Sequence, residues 1–127
     1  MKSKKEKVVI SKAIGKWLLI SPRKANLVAT LIRGKKVANA VAQLSLLNKK
    51  GAGLILKILN SAIANAKNVK KYNDVDNLKV DIWVGSAGDW KRLRPRAFGR
   101  ANIRRRRRSH IWINLYAEEA PAVEKAS

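Results

Sequence analysis

The residues best equipped for chemistry lie between positions 91 and 108. Ten of them are Lys or Arg: Lys91, Arg92, Arg94, Arg96, Arg100 and the unbroken run Arg104, Arg105, Arg106, Arg107 and Arg108. No Asp or Glu occurs from Trp90 through Ala117, so ion pairs within the segment cannot neutralise it. Arginine dominates over lysine, and its planar fork suits bidentate phosphate contacts and stacking on bases. Trp90 and Phe98 are interleaved with these cations. On an exposed arm they could stack on unpaired bases, as in RNA recognition, or pack against the opposite strand of a hairpin. Five like charges in a row usually mean a solvated, self-repelling segment or a localisation patch. Their place beside a regular strand favours the RNA-facing reading.

The remaining candidates point to no catalysis. Asp74 and Asp76 resemble a carboxylate pair, but they stand in a turn-rich loop, where aspartate commonly bonds its own backbone. His110 has no partner carboxylate or nucleophile nearby in the sequence, so a structural or RNA-contacting role is expected. Lys35-Lys36 and Lys49-Lys50 read as phosphate contacts or solvated surface, and no Gly-rich phosphate loop precedes a helix. The chain has no cysteine and one histidine, which excludes disulfides and thiolate metal sites. We expect no enzyme, no cofactor, no metal and no small-molecule substrate.

The whole chain explains what such a segment is for. Its 127 residues carry 29 Lys and Arg against 8 Asp and Glu, a formal net charge of +21. Solubility alone needs a net charge of only about 2–8 in a small domain. A polyanion is therefore the expected partner, nucleic acid first and an anionic membrane surface second. Hydrophobic residues make up 46% of the chain, which argues for a folded core rather than disorder. With no secretory signal and no 18-residue apolar run, no membrane span is expected and the default location is cytoplasmic.

Several elements must position the basic segment. Residues 1–11 read as a basic N-terminal tail. A strand is expected within residues 8–20, broken near Gly15. Ser21-Pro22 is a helix start, Leu27, Val28, Leu31 and Ile32 follow at helical spacing, and Gly34 closes the helix. A second helix is predicted from Val37 to Leu47. A third, from Gly53 to Asn68, has a continuous apolar stripe including Ile55, Leu59, Ala62 and Ala66. Leu78, Val80, Ile82 and Val84 alternate as a half-buried strand, as do Ile111, Ile113 and Leu115. Residues 85–109 show neither pattern, and a long structureless loop is improbable in a compact domain. The two strands are therefore expected to run on as a hairpin arm, about 30 Å long for ten residues a side, turning near Gly88-Asp89-Trp90. An isolated hairpin of that kind is not stable in water, so a partner must order it. Residues 117–127 read as a disordered acidic tail. The single domain is then 12–116, of α+β class, with a three-stranded antiparallel sheet packed against three helices.

At this point the residues resemble a known family. One block is Ser21-Pro22-Arg23-Lys24 with Leu27-Val28-Ala29 and Leu31-Ile32-Arg33-Gly34-Lys35. A second runs from Lys91-Arg92 through Pro95-Arg96-Ala97 and Gly99-Arg100-Ala101 to Ser109-His110-Ile111. Ser61-Ala62-Ile63-Ala64-Asn65-Ala66 lies between them. The chain is similar, over about residues 12 to 116, to large-subunit ribosomal protein number twenty-two of bacterial or organellar type. The resemblance implies a ribosomal place, in the cytoplasm or in an organelle's stroma or matrix. The implied partners are large-subunit ribosomal RNA, neighbouring ribosomal proteins and the nascent polypeptide, with a role in early subunit assembly and no membrane partner. It also implies that the hairpin tip lines the peptide exit tunnel and influences nascent-chain stalling and tolerance of tunnel-binding macrolides. By resemblance the tip is Gly88, Asp89, Trp90, Lys91, Arg92 and Leu93. The expected RNA-binding residues are Lys16, Arg23, Lys24, Arg33, Lys35 and Lys36 on the body, the arm's lysine and arginines, and Ser109 and His110. Where the family usually has an acidic residue and Gly-Pro, this chain reads Ser86-Ala87-Gly88-Asp89-Trp90. Composition alone would not separate this reading from an architectural DNA-binding protein with a basic β-arm and an apolar wedge at Pro95 or Trp90.

Overall fold

Burying every second residue of one strand fixes its register against both neighbours, because a slip of one residue turns the apolar set to the solvent. Ile111, Ile113 and Leu115 are such a set, and all three are fully buried. In the computed structural model, which describes residues 6–119, they lie on the central strand of a three-stranded antiparallel sheet, β3 (Ala101–Glu119). Strand β1 (Glu6–Leu18) pairs with one edge of β3 and β2 (Lys79–Pro95) with the other. Ala13, Ile113 and Ile82 form one inward row across the sheet, and Gly15, Ile111 and Val84 the next.

Helices cover that inward face. The first, α1 (Pro22–Ile32), starts where Ser21-Pro22 predicts, although the Ser21 hydroxyl makes no capping bond. It ends at Gly34, whose φ of +78° is the left-handed conformation that favours glycine. The chain then runs along the outer edge of β2. Gly34 N–H donates to Val80 O (2.8 Å), Val80 N–H to Lys35 O (3.0 Å) and Val37 N–H to Leu78 O (2.8 Å). These bonds cover part of an edge that would otherwise offer unpaired backbone groups. Next come α2 (Val37–Leu46) and α3 (Lys50–Asn68). The latter begins three residues before the predicted Gly53, since Gly51 and Ala52 are buried. A Cβ at Gly51 would stand 3.0 Å from Ile20 Cδ1 and 3.3 Å from Val28 Cγ2, so close packing here overrides the weak helix preference of glycine. The core is aliphatic, with Ile32, Ile55, Leu59, Leu78, Ile82 and Ile113 among its largest fully buried side chains. Asp74 accepts from Asn77 Nδ2 through both carboxylate oxygens (2.7 and 2.8 Å), a turn bond rather than a catalytic arrangement.

Three further boundaries differ from expectation. Residues 6–11, placed in the basic tail, belong to β1, because Val9 and Ser11 pair with Tyr116 and Leu115 and the Ser11 hydroxyl donates to Ala62 O (2.9 Å). Ala117 to Glu119, placed in the acidic tail, pair with Val8 to Glu6. The rest of the two predicted tails, residues 1–5 and 120–127, lies outside the described residues. The largest difference is the turn of the arm. It falls at Ala97–Gly99, not at Gly88–Trp90. Antiparallel pairing puts the turn midway between partners, and the core already joins Val84 to Ile111. Beyond the core the ladder continues to Pro95 opposite Ala101, interrupted by one bulge between Ala87 and Trp90. Gly88 to Leu93 therefore lie along β2.

This arrangement separates body from arm energetically. Ile113→Ala should lose about 2–5 kcal/mol of unfolding free energy, as buried isoleucine truncations do. Ile103→Ala, on the exposed arm, should lose less than about 0.5 kcal/mol. Urea denaturation followed by circular dichroism checks both, and similar losses at the two sites would refute the division.

Candidate nucleic-acid interface

Past Val84 and Ile111 the two strands run on beyond the middle of the sheet and extend about 36 Å to Pro95 at roughly 3.3 Å per residue. Every residue from Lys91 through Arg107 is exposed. The turn is closed by Arg96 N–H donating to Arg100 O (2.6 Å). It holds two successive residues at positive φ, Phe98 (+62°) and Gly99 (+71°). Glycine takes that conformation freely; for a phenylalanine it costs on the order of 1–2 kcal/mol. The Phe98 side chain is 100% exposed at the end of the arm, so it does not pack on the opposite strand.

The arm overhangs α1 and makes a groove with it. One wall carries Arg94, Arg96, Asn102, Ile103 and Arg104 to Arg107, and the other carries Lys24, Lys49 and Lys50. Leu19, Leu27 and Leu31 add an apolar strip. The groove measures about 1380 Å³, larger than the roughly 300–1,000 Å³ typical of small-molecule sites. Cations on both walls and no carboxylate in the lining suit a phosphate backbone laid along it. Lys50 Nζ already donates to Leu19 O (2.7 Å), which fixes its position at the groove's inner end.

The root of the arm is held by a stack of side chains. Arg108 lies between two indoles, its Cζ 4.8 Å from the Trp17 ring centre and 4.7 Å from that of Trp90. Its Nε–H also donates to Gly88 O (2.8 Å). Trp17 reaches this place through a β1 irregularity between Gly15 and Leu18, where its own φ is +57°. There its backbone N–H donates to His110 Nδ1 (3.1 Å), and the two rings meet edge to face at 4.6 Å.

The predicted site residues fall into distinct groups. Lys24 shares the groove with Arg94, Arg96 and Arg104 to Arg107. Arg23 is exposed on the first turn of α1, and Lys16 is exposed on β1. Arg33, Lys35 and Lys36 gather at the other end of α1. Arg33 there bonds Ile82 O (3.2 Å) and Asn26 Oδ1 (3.4 Å), and Lys35 bonds Gln43 Oε1 (3.2 Å). Lys91, Arg92 and Arg100 line the outer arm. Ser109 requires a correction: it is fully buried and its hydroxyl donates to Ile20 O, so it serves the core and not the RNA-facing surface. Lys49 and Lys50, read from the sequence as phosphate contacts or solvated surface, join the groove through the approach of α3 to the arm. Trp17 was missed; its signal was an exposed aromatic beside an irregular strand.

The family described as ribosomal protein L22p/L17e matches residues 13–116. A large ribosomal subunit protein uL22 from Bdellovibrio bacteriovorus is 50% identical over 109 residues, covering 85% of this chain and 96% of the relative. The protein of that name from Wolbachia pipientis wMel is 48% identical over 112 residues, covering 87% and 96%. That from Maridesulfovibrio salexigens is 48% identical over 104 residues, covering 81% and 94%.

The stacked arginine yields a direct check. Arg108→Met keeps an unbranched side chain of similar length but removes the cation, and with it both cation–π contacts. With each contact worth about 0.5–1 kcal/mol at an exposed site, amide exchange near the arm root should speed up by roughly fivefold to thirtyfold. Hydrogen exchange read by mass spectrometry over peptides covering Gly88–Arg108 measures it, and unchanged rates would refute the clamp.

Proposed function

The chain belongs to the ribosomal protein L22p/L17e family and is a non-enzymatic structural constituent of the large ribosomal subunit, and from that premise we propose that its arm and groove bind ribosomal RNA. The observation that carries this reading is the groove, cationic on both walls, beneath an arm with ten Lys or Arg and no acid after Asp89. Such an arm repels itself, and a polyanion removes the repulsion while releasing the counterions bound to the nucleic acid. Phosphate contacts from arginine forks fix position and orientation without reading sequence. Two cation sets at opposite ends of α1 allow more than one RNA segment to be held at once, which is the service an early assembly protein performs.

The arm then acts as a spacer. Its basic stretch lies in folded RNA, and its far end, with Lys91, Arg92 and the turn from Arg96 to Arg100, lines the nascent-peptide exit tunnel. The turn places Phe98 fully exposed at that end, where a passing polypeptide or an unpaired base would meet it. Neighbouring large-subunit proteins complete the surroundings of the body. Of the two wedges that a duplex-DNA reading would use, Trp90 stacks on Arg108 while Pro95 stands exposed beside the turn, so competition between RNA and duplex DNA separates the two readings.

Tagged protein in a cell lysate should sediment with the large subunit and remain there through a high-salt wash. Release to the top of the gradient would mean loose electrostatic binding only. With the purified protein, affinity for structured ribosomal RNA should exceed that for duplex DNA at equal salt. The double variant Arg104→Gln, Arg106→Gln should lower the slope of log affinity against log salt by about 1.5. A flat salt response, or a preference for duplex DNA, would overturn the reading.

A further inference from the structure

The chain has four tryptophans, and none of them serves the helix-facing core. They all stand on the opposite face of the sheet or its extension. Trp83, Trp112 and Ile14 form one row straight across the three strands, with Trp83 48% and Ile14 49% exposed. The Trp112 ring lies over the backbone of Gly85, where a Cβ would come within 2.8 Å of its Cζ3. From Trp112 an aromatic track continues to His110 (5.9 Å), to Trp17 (4.6 Å) and, through Arg108, to Trp90 at the arm root. A single exposed apolar side chain is ordinary; a row of them joined to a basic arm is not.

We propose that this face is a second RNA site, which takes unpaired bases stacked on Trp83 and Trp112 while Lys12 and Lys16 hold their phosphates. The inference rests on the RNA-binding reading above. The flanking charge selects the occupant. Lys12 and Lys16 are exposed beside the row, and Asp81, an acid on this face, lies 4.0 Å from Lys7. A cationic rim around flat indoles suits an anionic strand with its bases turned out, and sheet faces bearing aromatics recognise single-stranded RNA in this way. Asn114, in the neighbouring row with Lys12 and Asp81, adds an amide within reach of a base edge. A duplex presents no free base faces to such a row.

The test compares two labelled probes by fluorescence anisotropy with the full-length protein at fixed salt: an oligoadenylate of about eight nucleotides, and an abasic strand of equal length with the same phosphates. The wild type should bind oligoadenylate about tenfold more tightly than the abasic strand. Trp83→Leu, which keeps an apolar side chain but no stacking ring, should erase most of that preference. Trp83→Tyr should retain it. Both variants change a half-exposed residue, and a thermal melt confirms that they fold. If the wild type shows no preference, or Trp83→Leu keeps it, the proposal falls and a protein neighbour is left as occupant; binding of both strands through phosphates would still leave the arm's role intact. If neither strand nor structured ribosomal RNA binds, the RNA reading itself falls.

Discussion

Everything in this molecule hangs on the pairing of β3 with both of its neighbours. Ile111, Ile113 and Leu115 are buried under the helices, and that burial locks the strand's register. The same strand runs on without a break into the arm, so a register set in the core decides which arginine faces which partner far from it. Arg92 meets Arg104 and Lys91 meets Arg105 directly across the ladder. Like charges opposite one another destabilise a hairpin. The core therefore imposes on the arm an arrangement the arm would not choose, and an anionic environment makes it favourable.

Between core and arm stands the Trp17–Arg108–Trp90 stack. It adds no buried volume, but it sets the direction in which the strands leave the body. The backbone gives way at the same level: β1 is irregular between Gly15 and Leu18, and β2 bulges between Ala87 and Trp90. Bulges raise local twist and redirect side chains. Here the irregular stretches carry Trp17 and Trp90, the two indoles that meet the one guanidinium.

The division of labour among apolar residues follows from the same geometry. Leu, Ile, Val and Ala fill the space between sheet and helices, where close packing rewards branched aliphatic shapes. The tryptophans and the phenylalanine sit outside it: tryptophans on the outer sheet face, Phe98 at the end of the arm. Large flat rings left in water are costly unless something covers them, and their company of lysines and arginines says what kind of thing that is.

Much of this was legible in the sequence. Period-two alternation in 78–84 and 110–116, helical spacing after Ser21-Pro22 and the stripe of α3 gave the α+β class and the sheet against three helices. Charge without compensating acid gave an arm that needs a polyanion, because net charge is a property of composition and survives any fold. The rest depended on distance between residues remote in the chain. Local residue types suggested a turn at Gly88–Trp90, but a hairpin turn lies where the ladder's register puts it, and that register is set by Ile113 meeting Ile82. Ser109 sits within a basic motif, yet it points into the core because strand alternation places it on the inward side beside Ile20. Lys49 and Lys50 join the arginines, and four tryptophans share one face, only once α3 and three strands are assembled. Sequence determines which chemistry a residue can offer; tertiary structure decides which residues offer it to the same partner.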